Sequence, residues 1–270
     1  VPGKTSLTRQ LVIEIVDLTQ HYGVRPVLKH VNLRIAPGEL VAVIGPNGMG
    51  KTTLLATMAG VHSPRKGSVL IDGLQRRSSP EAELEIRAKT VYLPAEPFLP
   101  PSMTPREFWI AVGRLYAVDD DRLFDHVERL ISLFELERVV DSPISSGSTG
   151  QQKKVALSAA LITDVSIYLL DEPFAGGLDP AGILALRKVL QRLALQKGAT
   201  VVMTSPVPEL IEQLASRVVV LREGEIIADG SVAELKSRAG REGSLADALE
   251  TLFFPETSNR ISGYFGETGK

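Results

Sequence analysis

GPNGMGKT, residues 45–52, follows the apolar run ELVAVI and leads into the helical pattern of TLLATMAG. It matches G-x-x-x-x-G-K-[ST] at the point where a strand gives way to a helix. The glycines let the backbone curl so that several N–H groups face one anion, at a helix N-terminus whose dipole favours negative charge. In that reading Lys51 meets terminal phosphates and the Thr52 hydroxyl takes a magnesium position. The candidate ligand-binding set is Gly45, Asn47, Gly48, Gly50, Lys51, Thr52 and Thr53. A glycine-rich turn without a ligand is the alternative, and the strand and helix on either side disfavour it.

Working outward, LVIEIVDL at 11–18 and VLKHVNLRI at 27–35 alternate with period two, which predicts an antiparallel edge feeding the central strand. Strand patterns follow at SVLIDG and TVYL, with a charged helix from Glu81 to Lys89 between them. Five prolines lie in the twelve residues from Pro94 to Pro105, and proline neither donates to a ladder nor continues a helix, so the regular core breaks there. Two amphipathic helices follow, near Pro105–Tyr116 and Asp120–Leu136, and SPISSGSTG then opens the helix QQKKVALSAALI. Strand and helix alternate again through VSIYLL, AGILALRKVLQRLAL, ATVVMT and ELIEQLA, then a hairpin VVVLREGEII, and such alternation builds a parallel sheet with helices on both faces. Two short charged helices and a polar tail are expected from about residue 232.

Composition narrows the partners. At 270 residues the chain suits one α/β core carrying a smaller unit. A formal charge of -2 gives no general attraction to nucleic acid or anionic lipid, so any anion must be held locally. No apolar run approaches the roughly 20 residues that cross a bilayer. The absence of cysteine excludes a disulfide framework, a thiolate metal site and a cysteine nucleophile. No secretory leader opens the chain, and a first residue of Val rather than Met points to trimming, so a cytosolic protein is expected.

A second signal is IYLLDEP at 167–173, where a strand delivers two adjacent carboxylates at its end. Burying an unpaired charge costs several kcal/mol, so consecutive acids there imply a cation or a proton to manage. Asp171 is assigned to magnesium and Glu172 to general-base activation of an attacking water, alongside Lys51 in the catalytic set. Two surface acids at a strand end would be the alternative without the phosphate loop.

With these two motifs the chain resembles the ATP-binding cassette (ABC) ATPases over about Leu11 to Ala239. The resemblance implies a P-loop NTPase (RecA-like) α/β core with a parallel sheet, an antiparallel β edge subdomain and an inserted helical subdomain. It divides the chain into an N-terminal tail (1–10), a nucleotide-binding core (11–93), a helical subdomain ending in the signature loop (94–150), the resumed core (151–235) and a C-terminal extension (236–270). It implies ATP and Mg2+ as ligands, with Tyr22 stacking on adenine; an ordinary edge aromatic is the lesser alternative for Tyr22. GSTGQ at 147–151 resembles the family's signature LSGGQ, keeping Ser148, Gly150 and Gln151. In the family this helix touches the partner's ATP, whereas plain helix capping is the local alternative. GGLDP at 176–180 resembles the loop after the acids, with Asp179 crossing between subunits or capping the helix before Ala181.

Two departures stand against these matches. Where the family usually has glutamine, YLPAEP places Ala95, with Glu96 next; where it has histidine on the γ-phosphate, VVMTSP at 201–206 places Ser205. Alanine holds no metal, and a serine oxygen lies closer to the backbone than an imidazole nitrogen and does not titrate near neutral pH. Losing one donor to developing charge is worth about 3 kcal/mol, on the order of a hundredfold in rate. A slow ATPase, with Ser205 retained as a weak catalytic contact, is therefore expected.

The resemblance implies a subunit that pairs with a second cassette, homologous or identical, and drives a separate integral membrane permease from the inner face of the cell membrane. PFLPPSMTPREFWIAVGRLYAV resembles the corresponding stretch of drug, antibiotic or lipid exporters. A non-transport ABC clamp usually shows two cassettes or a long coiled-coil insertion, and neither is present here. A GTPase would need N-K-x-D, and Asn32, Asn47 and Asn259 are not followed by lysine.

Overall fold

The computed structural model describes residues 11–238 and 243–253. The tail at 1–10 and residues 254–270 lie outside the described residues. β1 (Ile13–Tyr22) and β2 (Arg25–Ile35) pair antiparallel, from Ile13 opposite Ile35 to Tyr22 opposite Arg25. Val31, Leu33 and Ile35 are buried while Asn32 and Arg34 are exposed, as a half-buried strand requires. β3 (Leu40–Ile44) is buried throughout and leads through the glycine-rich loop into α1 (Lys51–Met58). β4 (Lys66–Ile71) and β5 (Leu74–Gln75) complete a four-stranded sheet of order β2-β1-β4-β5.

α2 (Pro80–Lys89), capped by Ser79 and carrying Pro80 in its first turn, delivers β6 (Thr90–Leu93). The proline-rich segment then gives way to α3 (Pro105–Leu115) and α4 (Asp120–Phe134). α3 starts at a capping box of Thr104 and Glu107. α5 (Thr149–Leu161), β7 (Ile167–Leu170), α6 (Pro180–Lys197), β8 (Thr200–Thr204) and α7 (Pro208–Leu214) follow. β9 (Arg217–Arg222) and β10 (Glu225–Gly230) form the expected hairpin, and α8 (Val232–Arg238) and α9 (Leu245–Phe253) close the described chain.

The second sheet has order β10-β9-β3-β8-β7-β6, and all of it is parallel except β10. The hairpin's first strand is thus a core strand, paired with β3 from Val41 opposite Arg217 to Ile44 opposite Val220. Successive residues of its strands serve opposite faces. Ala42, Tyr168, Met203 and Val218 belong to one core with the helices α3 to α9, of which α6 packs on β3 and β8, whereas Val43, Leu169, Val202 and Val219 pack with α1 and the antiparallel sheet. Trp109 of α3, fully buried, ties its helix to α5 by donating Nε1–H to the Val155 carbonyl at 2.9 Å.

α9 differs from the charged helix expected at this end of the chain. Its Leu245, Ala248 and Leu249 are buried, a three- and four-residue spacing that lays an apolar stripe on the core. Its start is held by the Glu212 carboxylate, which accepts from the Leu245 N–H at 3.0 Å. None of the helices among the described residues is long and apolar enough to cross a membrane.

Candidate phosphate and metal site

Strand order assembles the site. β8 lies between β3 and β7, so the glycine-rich loop after β3 and the acids after β7 flank the end of β8 at the carboxyl edge of the sheet. Gly50 turns the chain into α1 at φ 101, and a Cβ there would lie 2.8 Å from the Val27 carbonyl, which only glycine tolerates. Lys51 is buried, and its Nζ donates to the carbonyls of Gly45 at 2.8 Å and Pro46 at 3.1 Å. Burial holds the Lys51 ammonium below the usual lysine range, against the opposing pull of Glu172 and then Asp171. Asn47, Gly48 and Thr52 are exposed at the loop and helix start, while Gly45 and Thr53 are buried.

The acids are organised by a hydroxyl. Thr204, fully buried at the end of β8, donates to Asp171 Oδ1 at 2.5 Å and accepts from the Glu172 N–H at 2.8 Å. The Asp171 N–H donates to the Leu93 carbonyl at 2.8 Å, and Glu172 turns out of the strand at φ 45. Asp171 Oδ2 is left buried with no hydrogen-bond partner. A buried carboxylate oxygen left this way costs about 1–3 kcal/mol or more, a cost that a cation or its bound water removes. Among the described residues no group of three or more His, Asp or Glu could form an all-protein metal cage. One carboxylate plus a hydroxyl beside a phosphate cradle suits Mg2+, which keeps waters and takes substrate phosphates as ligands. The residues present therefore fit the metal.

The sequence model of the ABC transporter family matches residues 28–175. The chain is 30% identical to the ABC-type transporter ATP-binding protein EcsA of Bacillus subtilis over 240 residues, 88% of this chain and 94% of that one. The chain belongs to the ABC transporter family, as an ATP-binding subunit. Its fold is similar to a solved ATP-binding subunit of an ABC transporter, with TM-score 0.83, 29% identity, 89% of this chain and 99% of that chain covered. It is also similar, with TM-score 0.73 and 26% identity over 81% of this chain and 98% of that one, to the ATP-binding cassette MJ0796 in a dimeric post-hydrolysis state bound to ADP and Pi.

In this ABC subunit the signature-like segment and the loop after the acids meet. A Cβ on Gly150 would lie 2.4 Å from the Gly177 carbonyl, so the start of α5 approaches that loop as only glycine permits. Ser148 caps α5, its Oγ accepting from the Gln151 N–H at 3.3 Å while Gln151 Oε1 accepts from the Ser148 N–H at 2.8 Å. Asp179 caps α6 through the Gly182 N–H at 2.8 Å and pairs with Lys154 at 3.2 Å. Those two contacts, the backbone one first, hold its carboxyl below the usual carboxylate range.

Ala95 is half-buried and Glu96 exposed beyond β6. Ser205 is buried, and its Oγ accepts from the Val207 N–H at 3.1 Å, so the hydroxyl that reaches the acids is that of Thr204. Tyr22 closes β1, and its side chain lies outside the described residues. Sequence reasoning missed Lys153, buried, whose Nζ donates to the Glu172 carbonyl at 3.0 Å. Two consecutive lysines on a helix that must pack against the acids were the available signal. It also missed the apolar face of α9, whose Leu249 and Phe253 come beside Gly45–Asn47 and Pro206 around a cavity of about 390 Å³.

Proposed function

We propose that this subunit closes head to tail with a second cassette around two Mg-ATP, hydrolyses ATP slowly at its own site, and drives a separate integral membrane permease from the cytoplasmic face. The observation that carries the reading is the buried, unpartnered Asp171 Oδ2 beside a phosphate loop whose lysine holds only carbonyls. Lys51 exchanges those carbonyls for the terminal phosphate oxygens of ATP, and the loop N–H groups face the remaining charge. Asp171 and Thr52 would hold Mg2+, which when bound neutralises charge on the phosphates. Glu172, whose backbone is pinned by Thr204 and Lys153, orients the attacking water and takes its proton.

Three features support the remaining parts. Ala95, just beyond β6, has no polar side chain and Ser205 is engaged in its own turn, which supports attenuated hydrolysis. Ser148, Gly150 and Asp179 are intact at the α5 face, so the chain can complete a partner's site better than it runs its own. Phe98 and Leu115, 85% and 81% exposed, border an apolar groove of about 250 Å³ between β6 and α3, a surface suited to a permease segment.

Calorimetry with Mg-ATP and steady-state turnover test the core of this reading on the parent, Lys51→Ala and Glu172→Gln. Binding is expected to collapse in the first variant and to persist in the second, which loses turnover and accumulates as an ATP-trapped dimer. Equal affinity in Lys51→Ala, or unchanged turnover in Glu172→Gln, overturns the assignment of that residue. Copurification of a membrane partner that is lost in Phe98→Glu/Leu115→Glu tests the permease surface.

A further inference from the structure

A cavity of about 620 Å³ opens between α4 and α6, at the end of β7 away from the phosphate loop. Tyr168, the second residue of β7, lines its floor, whereas the acids lie past the strand's other end. Four cations line it, Arg122 and Arg129 from α4 and Arg192 and Lys197 from α6, against the carboxylates of Asp125 and Asp164. Asp164 is already spoken for: it pairs with Arg122 at 2.6 Å and with Lys197 at 2.9 Å. The guanidinium groups of Arg129 and Arg192 have no ion pair or hydrogen bond among the described residues. Half-buried His126 sits with them, in no hydrogen bond or ion pair among the described residues but within electrostatic reach of Arg129 and Asp164. The rest of the wall is apolar, with Leu130, Leu133, Val189 and Leu193.

We infer that this cavity binds an organic phosphate, its phosphate held by Arg129, Arg192 and His126 and its apolar body laid on Leu133 and Val189. Two planar guanidinium forks lining one cavity from different helices match a dianion better than a single charge does, and the surplus of cations stands out in a chain of net charge -2. Burial, then Arg129, pushes the His126 imidazole down to about 4, so at neutral pH it is a neutral group among cations that an incoming anion would favour protonating. Because the walls come from α4 on one side and α6 on the other, a bound phosphate would clamp the helical layer to the core helix that follows Asp179.

Phenyl phosphate is the probe, titrated calorimetrically into the whole chain at fixed ionic strength. The variants are Arg129→Gln/Arg192→Gln, in which both changed residues are exposed, and Lys51→Ala, which disables the other phosphate site; circular dichroism checks that each is folded. Saturable binding is expected in the parent and in Lys51→Ala, weakened about tenfold or more in the double arginine variant. The proton resonances of His126 are expected to titrate at higher pH with the probe bound. Flotation with phosphatidylcholine vesicles carrying phosphatidic acid distinguishes the source of the phosphate: arginine-dependent flotation assigns a lipid headgroup, and its absence beside phenyl phosphate binding assigns a free metabolite. No saturable binding to the folded parent, or binding abolished by Lys51→Ala and untouched in the arginine variant, overturns the proposal.

Discussion

Replacing Thr204 with valine keeps the β-branched shape that β8 needs and deletes one hydroxyl. The change leaves Asp171 Oδ1, fully buried, and the Glu172 N–H, part-buried, without their shared partner. A cost of about 1–3 kcal/mol in unfolding free energy is expected, measured by denaturant titration. Turnover should fall while ATP affinity stays near the parent's, because the acids lose their aim and Lys51 does not. Thr204→Ser should restore both, and a variant that loses affinity and turnover alike would show Thr204 to be a folding residue alone. At the same edge, Ala95→Gln with Ser205→His returns two polar groups to one phosphate and one water. Its gain in turnover is expected to exceed the sum of the single changes, as neighbours sharing a partner do not add. A parent already as fast as the double variant would remove the basis for an attenuated site.

At the scale of elements, the approach of α5 to the loop after the acids depends on a missing side chain. Gly150→Ala puts a methyl 2.4 Å from the Gly177 carbonyl, closer than van der Waals contact allows, so the helix start or the loop must move. The monomer should keep its thermal midpoint to within a few degrees, since the strain falls at a helix end. ATP-driven dimerisation of the Glu172→Gln background, followed by size exclusion, should be lost. Much at this scale was legible beforehand, and for a physical reason. Strand alternation at 27–35, the glycine loop and the S-x-x-Q start of α5 are local patterns, each specified within a few consecutive residues. Thr204 bridging Asp171 and Glu172 spans about thirty positions and exists only because β8 lies beside β7. Lys153 reaching the Glu172 carbonyl is hidden in the same way. The apolar stripe of α9 was local, but its acidic residues masked the spacing of Leu245, Ala248 and Leu249.

Across the whole molecule, the cavity between α4 and α6 adds an acid sensitivity. His126 titrates near 4 when folded and near 6.5 in an unfolded chain, so between those values the unfolded state binds more protons. Stability contributed by the neutral imidazole is present above about pH 6.5 and is lost as pH falls towards 4, by up to about 3 kcal/mol. Thermal melts from pH 7 to pH 4.5 should show a falling midpoint that flattens in His126→Gln; an unchanged slope would place the acid response in carboxylates, which protonate lower. The two-faced central sheet carries one more consequence. Because odd and even residues of β3 answer to different layers, the strand works as a parity counter: deleting one residue between Leu40 and Ile44 would turn every strand residue on one side of the gap to the opposite layer. The glycine loop leaves from the end of that count. Its aim at an anion is thus inherited from the arithmetic of the strand before it, and length there is a functional constraint even where the side chains are interchangeable.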